Sequence, residues 1–365
     1  MGKKTDSGWV FHYRKAPPLP QEGVRPMGMK IQPIRMTDSL PDDADDPAVW
    51  VHPFKPEHSL VLGTNKARAP RGAIGVFDLN GRLLQLICGL DQPNNIDVGY
   101  RFRLRRRYID IAVATERYAS RLRIFQIDPQ RRRLIEITDF ENARVFAGEQ
   151  GERAMPMGIA LYHNPRTQTI DAVVSRKAGP ENGYLHQYRL VETRPGRVGV
   201  QFVRAFGRFS GRKEIEAVAV DSALGYVYYA DEQFGVRKYH ADAAHPHAER
   251  ELAHFATDFK GDHEGIAIYA PSHGEGYLLC VEQRSNNSRL HVYPRFGVQR
   301  EPIAIIEIGA DETDGIDATA QPLGKPFTDG LVVAMNSRER NFWFYSGSDL
   351  REAIRQHHLT GTRTK

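Results

Sequence analysis

The sequence predicts an all-β protein that folds as a single six-bladed β-propeller, because two patterns each recur six times along the chain. In the first pattern, a polar residue precedes a short apolar strand; its copies lie at residues 42–50, 95–98, 157–161, 216–220, 264–268 and 314–318. In the second, a longer apolar strand ends in polar residues; its copies lie at 60–66, 110–117, 171–177, 226–232, 277–284 and 331–336. The period of about 50 to 60 residues is typical of propeller blades of about four strands.

The repeats also divide the chain into three parts. A chain of 365 residues would on average form two domains, but all-β propellers often exceed the average domain size as a single unit. We therefore predict one propeller domain at residues 39–347. Residues 1–38 contain Pro17-Pro18-Leu19-Pro20 and no periodicity, which predicts an irregular N-terminal arm. Residues 348–365 form a tail with a short helix near 349–356.

Composition narrows the possible partners. The chain has 50 Lys and Arg against 45 Asp and Glu, a basic balance that suits anionic ligands. We interpret the arginine-rich stretches 101–107 and 131–133 as solvated charge that discourages pairing at sheet edges, and so predict no nucleic acid partner. Cys88 and Cys280 are too few for a disulfide scaffold. No apolar run is long enough to span a membrane, so we predict no membrane partner, and we expect a monomer.

The blade topology predicts where polar side chains meet. Neighbouring strands of a blade are antiparallel, so the end of the second strand lies beside the start of the first. All six pairs therefore gather at one mouth of the central channel. The starts of the first strands bring to this mouth Asp45, Asp46, Asn95, Met157, Glu216, Asp262, Glu264 and Asp314. The ends of the second strands bring Lys66, Glu116, Arg117, Arg176, Lys177, Asp231, Glu232, Gln283, Arg284, Asn336 and Arg338.

Such a mouth needs cations. Carboxylates held about 4 Å apart repel one another by roughly 4 kcal/mol per pair at an effective dielectric constant of 20. Oxygen ligands without recurring His or Cys favour calcium over zinc. Lys66, Arg117 and Lys177 come from the first three blades and suit a phosphate that also contacts the metal. Two interpretations stay open here: metal-assisted hydrolysis of a phosphate ester, or salt bridges and structural calcium that merely close the channel.

Several segments carry a resemblance to a known family: residues 45–50, 64–66, 94–97, 158–163, 262–265 and 313–317. With these segments in order and at propeller spacing, the chain resembles the β-propeller phytases from about residue 42 to 345. These are calcium-dependent enzymes that hydrolyse phytate (inositol hexakisphosphate). The resemblance implies several calcium ions, a phosphorylated small-molecule substrate, a cleavage subsite beside an affinity subsite, and direct attack on phosphorus by a calcium-bridged water.

The resemblance also assigns roles to residues. Positions that match the family's calcium ligands are Asp45, Glu216, Glu232, Asp262, Glu264 and Asp314. Positions that match its phosphate-binding cations are Lys66, Arg117 and Lys177. We expect catalysis to depend on Glu216, Asp314, Lys66 and Arg117. Family members are commonly secreted, which implies an extracellular or periplasmic protein; the first residues lack the apolar segment of a signal peptide, which leaves the cytoplasm as the alternative.

This chain departs from the family at two positions of the affinity subsite. Met157 stands where the family has a tyrosine, and Ala178 stands where an acidic residue usually follows Lys177. We expect Arg176 or Arg153 to compensate, and we include Arg176 among the phosphate-binding residues. His263 could donate a proton to the leaving group or have a structural role.

Two other functions fit the same fold. A calcium-dependent lactonase or esterase would not need the basic residues, since a neutral lactone carries no charge for them to bind. A non-catalytic propeller that binds a polyanion would explain Met157 and Ala178 as signs of lost activity.

Overall fold

The computed structural model describes residues 3–5, 8–10, 29–271 and 276–361, with side chains described within 29–271 and 276–357. Four short strands lie before the first blade: β1 (Lys3–Thr5), β2 (Gly8–Val10), β3 (Met29–Lys30) and β4 (Arg35–Met36). Strands β1 and β2 pair with each other. The predicted irregular arm otherwise lies largely outside the described residues.

Six sheets follow, and they confirm the predicted six-bladed propeller. The strands of the first three blades are β5 (Ala44–Trp50), β6 (Leu60–Asn65), β7 (Gly72–Asp78), β8 (Leu83–Leu90); β9 (Pro93–Leu104), β10 (Arg107–Glu116), β11 (Arg121–Asp128), β12 (Arg133–Glu136); β13 (Pro156–Asn164), β14 (Thr169–Arg176), β15 (Asn182–Arg194) and β16 (Arg197–Arg208). The strands of the last three are β17 (Val218–Asp221), β18 (Tyr226–Asp231), β19 (Gly235–His240), β20 (Ala253–Phe255); β21 (His263–Tyr269), β22 (Tyr277–Glu282), β23 (Arg289–Pro294), β24 (Ala304–Glu307); β25 (Ile316–Thr319), β26 (Leu331–Asn336) and β27 (Asn341–Ser346). Two single-turn 3-10 helices lie at Pro56–His58 and Gly151–Ala154.

The blades are held together by apolar side chains on both faces of each sheet. All six residues of β6 and all six of β26 are buried, because each sheet packs between two neighbouring sheets. Between the first two blades, Trp50, Ile96 and Phe125 belong to one core cluster. Burial of each such side chain contributes about 1.5–3 kcal/mol. A Cβ atom at Gly63 would lie 2.0 Å from the ring of Phe342, so the first and sixth blades pack too closely for a larger residue.

The N-terminal segment closes the ring. Strand β4 is the outer, fourth strand of the sixth blade and pairs antiparallel with β27, with Phe344 opposite Arg35. Strand β3 adds a fifth strand to the fifth blade, parallel to β24. Both strands fall within residues 1–38 and were not predicted, since two residues are too few to show alternation. The chain therefore joins the last two blades before it begins the first.

The predicted C-terminal helix is present and is longer than expected: α1 spans Gly347–Gly361. Leu350, Ala353 and Ile354 pack into the core cluster that includes Ile306 and Tyr345. Their spacing of three and four residues places them on one face of the helix. Within the described residues, no helix combines the length and the apolar character that a membrane span requires.

The register confirms the topological prediction about the channel mouth. In the first blade Ala44 lies opposite Asn65, in the third Pro156 lies opposite Arg176, and in the fifth His263 lies opposite Glu282. Starts of first strands and ends of second strands therefore lie side by side.

Candidate functional site

A basic side chain joins three blades at the channel mouth. Lys66 follows β6 directly, and its ammonium forms an ion pair with Asp45 of the neighbouring strand. The same Nζ lies 3.8 Å from Oε1 of Glu216 and 3.8 Å from Oδ2 of Asp314. Three predicted carboxylates, from the first, fourth and sixth blades, thus surround one ammonium.

Irregular strand pairing accompanies this arrangement. The register of the innermost strand pair shifts between Ala44 and Pro47 in the first blade and between His263 and Ile266 in the fifth. The second and third blades have a shift at the same end. Bulges of this kind bend a strand and re-aim its side chains. They let adjacent residues such as Asp45 and Asp46 serve different purposes: Asp45 pairs with Lys66, whereas Asp46 accepts a hydrogen bond from the Ile96 N–H at 2.9 Å.

Asn94 connects Glu216 with Arg117. Its Nδ2 donates to Oε1 of Glu216, and its Oδ1 accepts from Nη2 of Arg117. Nε of Arg117 is buried and donates to no described residue. The amide therefore aligns a carboxylate and a guanidinium and leaves one buried N–H of the guanidinium without a partner among the described residues.

The backbone of Glu216 is fixed by the neighbouring blade. A Cβ atom at Gly158 would lie 1.8 Å from the carbonyl oxygen of Glu216, so only glycine permits this approach. The start of β13 thus sets the position of the loop that carries Glu216.

A second group of carboxylates surrounds Lys213, which lies between β16 and β17. Its Nζ is 2.6 Å from Oε2 of Glu232, 2.7 Å from Oδ2 of Asp262 and 3.4 Å from Oε1 of Glu264. We call Glu232, Asp262 and Glu264 the three-acid cluster. One oxygen from each of its members lies within 4.8 Å of the others, and the same holds for Glu214, Glu216 and Glu232. Because Glu232 belongs to both sets, the two candidate cation positions are adjacent.

The pKa values divide these acids into two kinds. Burial raises the pKa of Asp45 to about 7 and that of Glu232 to about 8, against the opposing effects of Lys66 and Lys213. Burial also raises the pKa of Glu264 and of Asp314 well above the usual range. Glu216 differs, because Lys66 and Arg117 outweigh its burial and lower its pKa. Asp262 behaves like Glu216, because hydrogen bonds from Lys213 and Gln233 outweigh its partial burial and lower its pKa; these two carboxylates therefore stay ionised without further positive charge.

The donor set fits a hard cation. Oδ2 of Asp45 and Oε1 of Glu232 are buried and have no hydrogen-bond partner among the described residues, while the other oxygen of each carboxylate lies against the ammonium of Lys66 or Lys213. All the candidate ligands are oxygen atoms, which calcium prefers. Around the mouth, seven carboxylates face four basic side chains: Asp45, Glu214, Glu216, Glu232, Asp262, Glu264 and Asp314 against Lys66, Arg117, Lys177 and Lys213. The excess of acids leaves a need for positive charge that a metal could meet.

The remaining predicted residues behave differently from one another. Lys177 is at the edge of the site, one third exposed, and pairs with Glu214. Arg176 is 1% exposed and is not brought to the mouth. Its guanidinium donates to the carbonyl oxygens of Tyr184 and Gly183 at 3.0 Å, and to Glu149. Successive side chains point to opposite faces of a strand, so we correct the expectation that Arg176 binds phosphate.

Three further residues face away from the mouth or lie outside its centre. Met157 is fully buried, so its side chain offers no surface to a ligand. His263 has Nε2 2.6 Å from the carbonyl oxygen of Ala256, and its ring stacks on Phe259 at 4.2 Å. This geometry supports a structural role for His263. Arg153 lies exposed in the 3-10 helix Gly151–Ala154.

Sequence reasoning missed Asn94, Lys213 and Glu214. Asn94 is part of the segment 94–97, but only its neighbour Asn95 was counted at the strand start. Lys213 and Glu214 precede Glu216 by three and two residues. Their position just before β17 could have revealed them, if the prediction had included several residues before each first strand and not only the one that starts it.

Comparison with known proteins agrees with this geometry. The family model described as Phytase matches residues 29–342. The 3-phytase of Bacillus subtilis (strain 168) is 32% identical over 309 residues, which cover 81% of this chain and 75% of that protein. Among solved structures, the calcium-binding protein regucalcin from Agrobacterium tumefaciens has a TM-score of 0.52 at 11% identity, covering 87% of this chain and 95% of that one. This last likeness concerns the fold alone. Together, the family match and the sequence identity show that the chain belongs to the β-propeller phytase family.

Proposed function

We propose that this protein is a calcium-dependent phosphomonoesterase that releases phosphate from phytate or related phosphate esters. The observation that carries the proposal is the meeting of Lys66, Arg117 and the ionised carboxylate of Glu216 beside the three-acid cluster. The family relationship and the 3-phytase relative support the same reaction.

The basic side chains bind and orient the substrate. Lys66, Arg117 and Lys177 all act electrostatically on Glu216, so all three lie near the same carboxylate. Each is held in place by a polar partner: Asp45, Asn94 and Glu214, respectively. Charge-assisted hydrogen bonds from such groups to phosphate oxygens are about twice as strong as neutral ones. A substrate with several phosphates can engage Lys66 and Arg117 with one group and Lys177 with another.

The carboxylates hold the metal and move protons. Asp45, Glu216, Glu232, Asp262, Glu264 and Asp314 would hold calcium; when bound, it neutralises phosphate charge and lowers the pKa of a bound water. Glu216 can accept a proton at Oε2, because Oε1 is the oxygen that binds Asn94. The oxygen that Asn94 binds also lies 3.8 Å from Nζ of Lys66, so both groups face Oε1. The alcohol product takes its proton from solvent at the open mouth.

The test is the release of inorganic phosphate from phytate by purified protein, with calcium and after removal of calcium by a chelator. We expect release only with calcium, and a loss of at least about 100-fold in Glu216→Gln and in Asp314→Asn. Glu57→Gln is the matched control, because Glu57 is exposed in the 3-10 helix after β5, at the opposite end of the first blade. Full activity in both site variants would refute the proposal. Lactone turnover without phosphate release would favour the esterase alternative.

We also infer that the protein works outside the cytoplasm as a monomer. Oxygen-ligand calcium sites of extracellular proteins commonly bind at about 10⁻⁴–10⁻³ M, and a site that needs several calcium ions suits that environment. Cell fractionation and sedimentation of the full chain test the two parts of this inference.

A further inference from the structure

Lys213 lies at one of the two candidate cation positions. Its Nζ approaches one oxygen from each residue of the three-acid cluster, at 2.6, 2.7 and 3.4 Å. Those residues also offer oxygens close enough together to hold one cation. Calcium binds its oxygen ligands at about 2.3–2.6 Å, nearly the same distance as the two shorter contacts of the ammonium. The three carboxylates cannot surround both cations at once.

We propose that Lys213 is a built-in competitor that occupies the three-acid cluster and must be displaced before a divalent cation binds there. The inference rests on the proposed function, because it takes the cation to be calcium. It adds a role for a residue that the calcium and phosphate assignments leave unused.

The surroundings show which partner can move. Glu232 is 0% exposed and Glu264 is buried, so these two acids are held by the blades that carry them, while Asp262 is one quarter exposed just before β21. Lys213 lies in the segment 209–217, outside any strand, and its side chain is 36% exposed. Its long flexible stem lets the ammonium reach water without a change in the backbone. The lysine can therefore leave while the carboxylates stay.

Charge explains why the exchange is possible. The three carboxyl groups can together carry more negative charge than one ammonium neutralises, and a divalent cation favours their ionised forms more strongly than a monovalent one does. The ammonium nevertheless lowers calcium affinity at this cluster, because its ion pairs must break first. In return, Lys213 neutralises the cluster when calcium is scarce and supports the fold. Once displaced, it adds positive charge to the mouth that receives phosphate.

The first experiment compares calcium binding by wild type, Lys213→Met and Lys260→Met in titration calorimetry. Lys260 is the matched control, since it is exposed and lies two residues before Asp262, so its loss removes the same charge without emptying the cluster. We expect Lys213→Met to bind calcium at one site at least about tenfold more tightly than wild type, and Lys260→Met to change affinity less than about threefold. With chelator, Lys213→Met should also melt at a lower temperature than wild type. Equal calcium affinity in wild type and Lys213→Met overturns the inference.

The second experiment uses the wild-type protein and covers the case in which Lys213→Met does not fold without calcium. An amine-reactive acylating reagent is applied with and without calcium, and the modification of each lysine is measured by mass spectrometry. We expect calcium to increase the modification rate of Lys213 several-fold and to leave that of Lys260 unchanged. A Lys213 rate that calcium does not raise contradicts displacement. If neither the wild type nor Lys213→Met binds calcium, the proposed function fails together with this inference. If both bind calcium with equal affinity, only this inference is refuted.

Discussion

Asn94 donates a hydrogen bond from Nδ2 to Oε1 of Glu216, and the two residues are 122 positions apart in the sequence. One begins the second blade and the other precedes the first strand of the fourth. The amide oxygen of Asn94 also accepts from Arg117. A single neutral side chain thus fixes the distance between the carboxylate and the guanidinium that we assign to catalysis and phosphate binding.

Asn94→Ala is expected to lower kcat for phosphate release at least about tenfold, the scale seen when side chains that orient metal ligands are removed. Because Asn94 is fully buried, its loss also leaves Glu216 and Arg117 without these partners, so we expect a melting temperature several degrees lower in a variant that is still folded at the assay temperature. Steady-state kinetics and thermal unfolding check both parts. Asn80→Ala, at an exposed turn after β7, is the control. Unchanged kcat would show that Glu216 and Arg117 keep their places without the amide.

Two adjacent basic residues are expected to give opposite results. Lys177→Met should raise KM about tenfold with little effect on stability, because its ammonium is partly exposed and its single ion pair within the described part of the chain is with Glu214. Arg176→Met should leave the carbonyl groups of Gly183 and Tyr184 without donors. Each such loss costs about 1–3 kcal/mol, so Arg176→Met should unfold several degrees lower.

Kinetics and thermal unfolding of the two variants, measured side by side, separate these effects. Since both variants lose one positive charge, each is the control for the other. A raised KM in Arg176→Met with an unchanged melting temperature would show that Arg176 does bind phosphate.

The fold was predictable because propeller blades repeat, and each blade leaves the same apolar pattern in the sequence. The positions of Asp45, Lys66 and Glu216 followed from the antiparallel pairing of the inner strands. For Arg176 the same argument fails. It ends the second strand of its blade, as predicted, but side chains alternate along a strand and this one points toward Phe146, with its guanidinium 4.5 Å from that ring. Lys213 was missed for a different reason, since it lies in a loop whose path no repeat specifies.

Calcium is expected to stabilise the folded protein. A ligand that binds only the folded state at 100 times its Kd adds about 2.7 kcal/mol, so excess calcium should raise the melting temperature by several degrees over protein in chelator. Glu232→Gln should reduce this increase, because Glu232 belongs to both candidate cation positions. Glu57→Gln should keep the full increase. If the melting temperature of the wild type is the same with calcium and with chelator, the metal assignment is contradicted.

Carboxylates also link neighbouring blades along the channel wall. Asp97 in the second blade accepts a hydrogen bond at 2.6 Å from the N–H of Leu161 in the third, and Asp317 in the sixth accepts one at 2.7 Å from Val49 in the first. Both residues line a cavity of about 440 Å³ on the propeller axis. Burial, with the nearby charge of Asp317, raises the pKa of Asp97 to about 7.

This pKa predicts how stability changes with pH. The folded state binds a proton at Asp97 more tightly than the unfolded chain, whose carboxyl titrates near 3.9. The contribution of Asp97 to the free energy of unfolding is therefore greatest below about pH 4 and declines as the pH rises to about 7. Asp97→Asn cannot titrate, so its loss of stability between pH 5 and 7.5 should be smaller than that of wild type by at least about 1.4 kcal/mol, the value of one pKa unit. Urea unfolding at the two pH values measures this difference, with the exposed Asp258→Asn as control. An identical pH dependence in wild type and Asp97→Asn would show that Asp97 stays ionised in the folded protein, with its two backbone hydrogen bonds outweighing its burial.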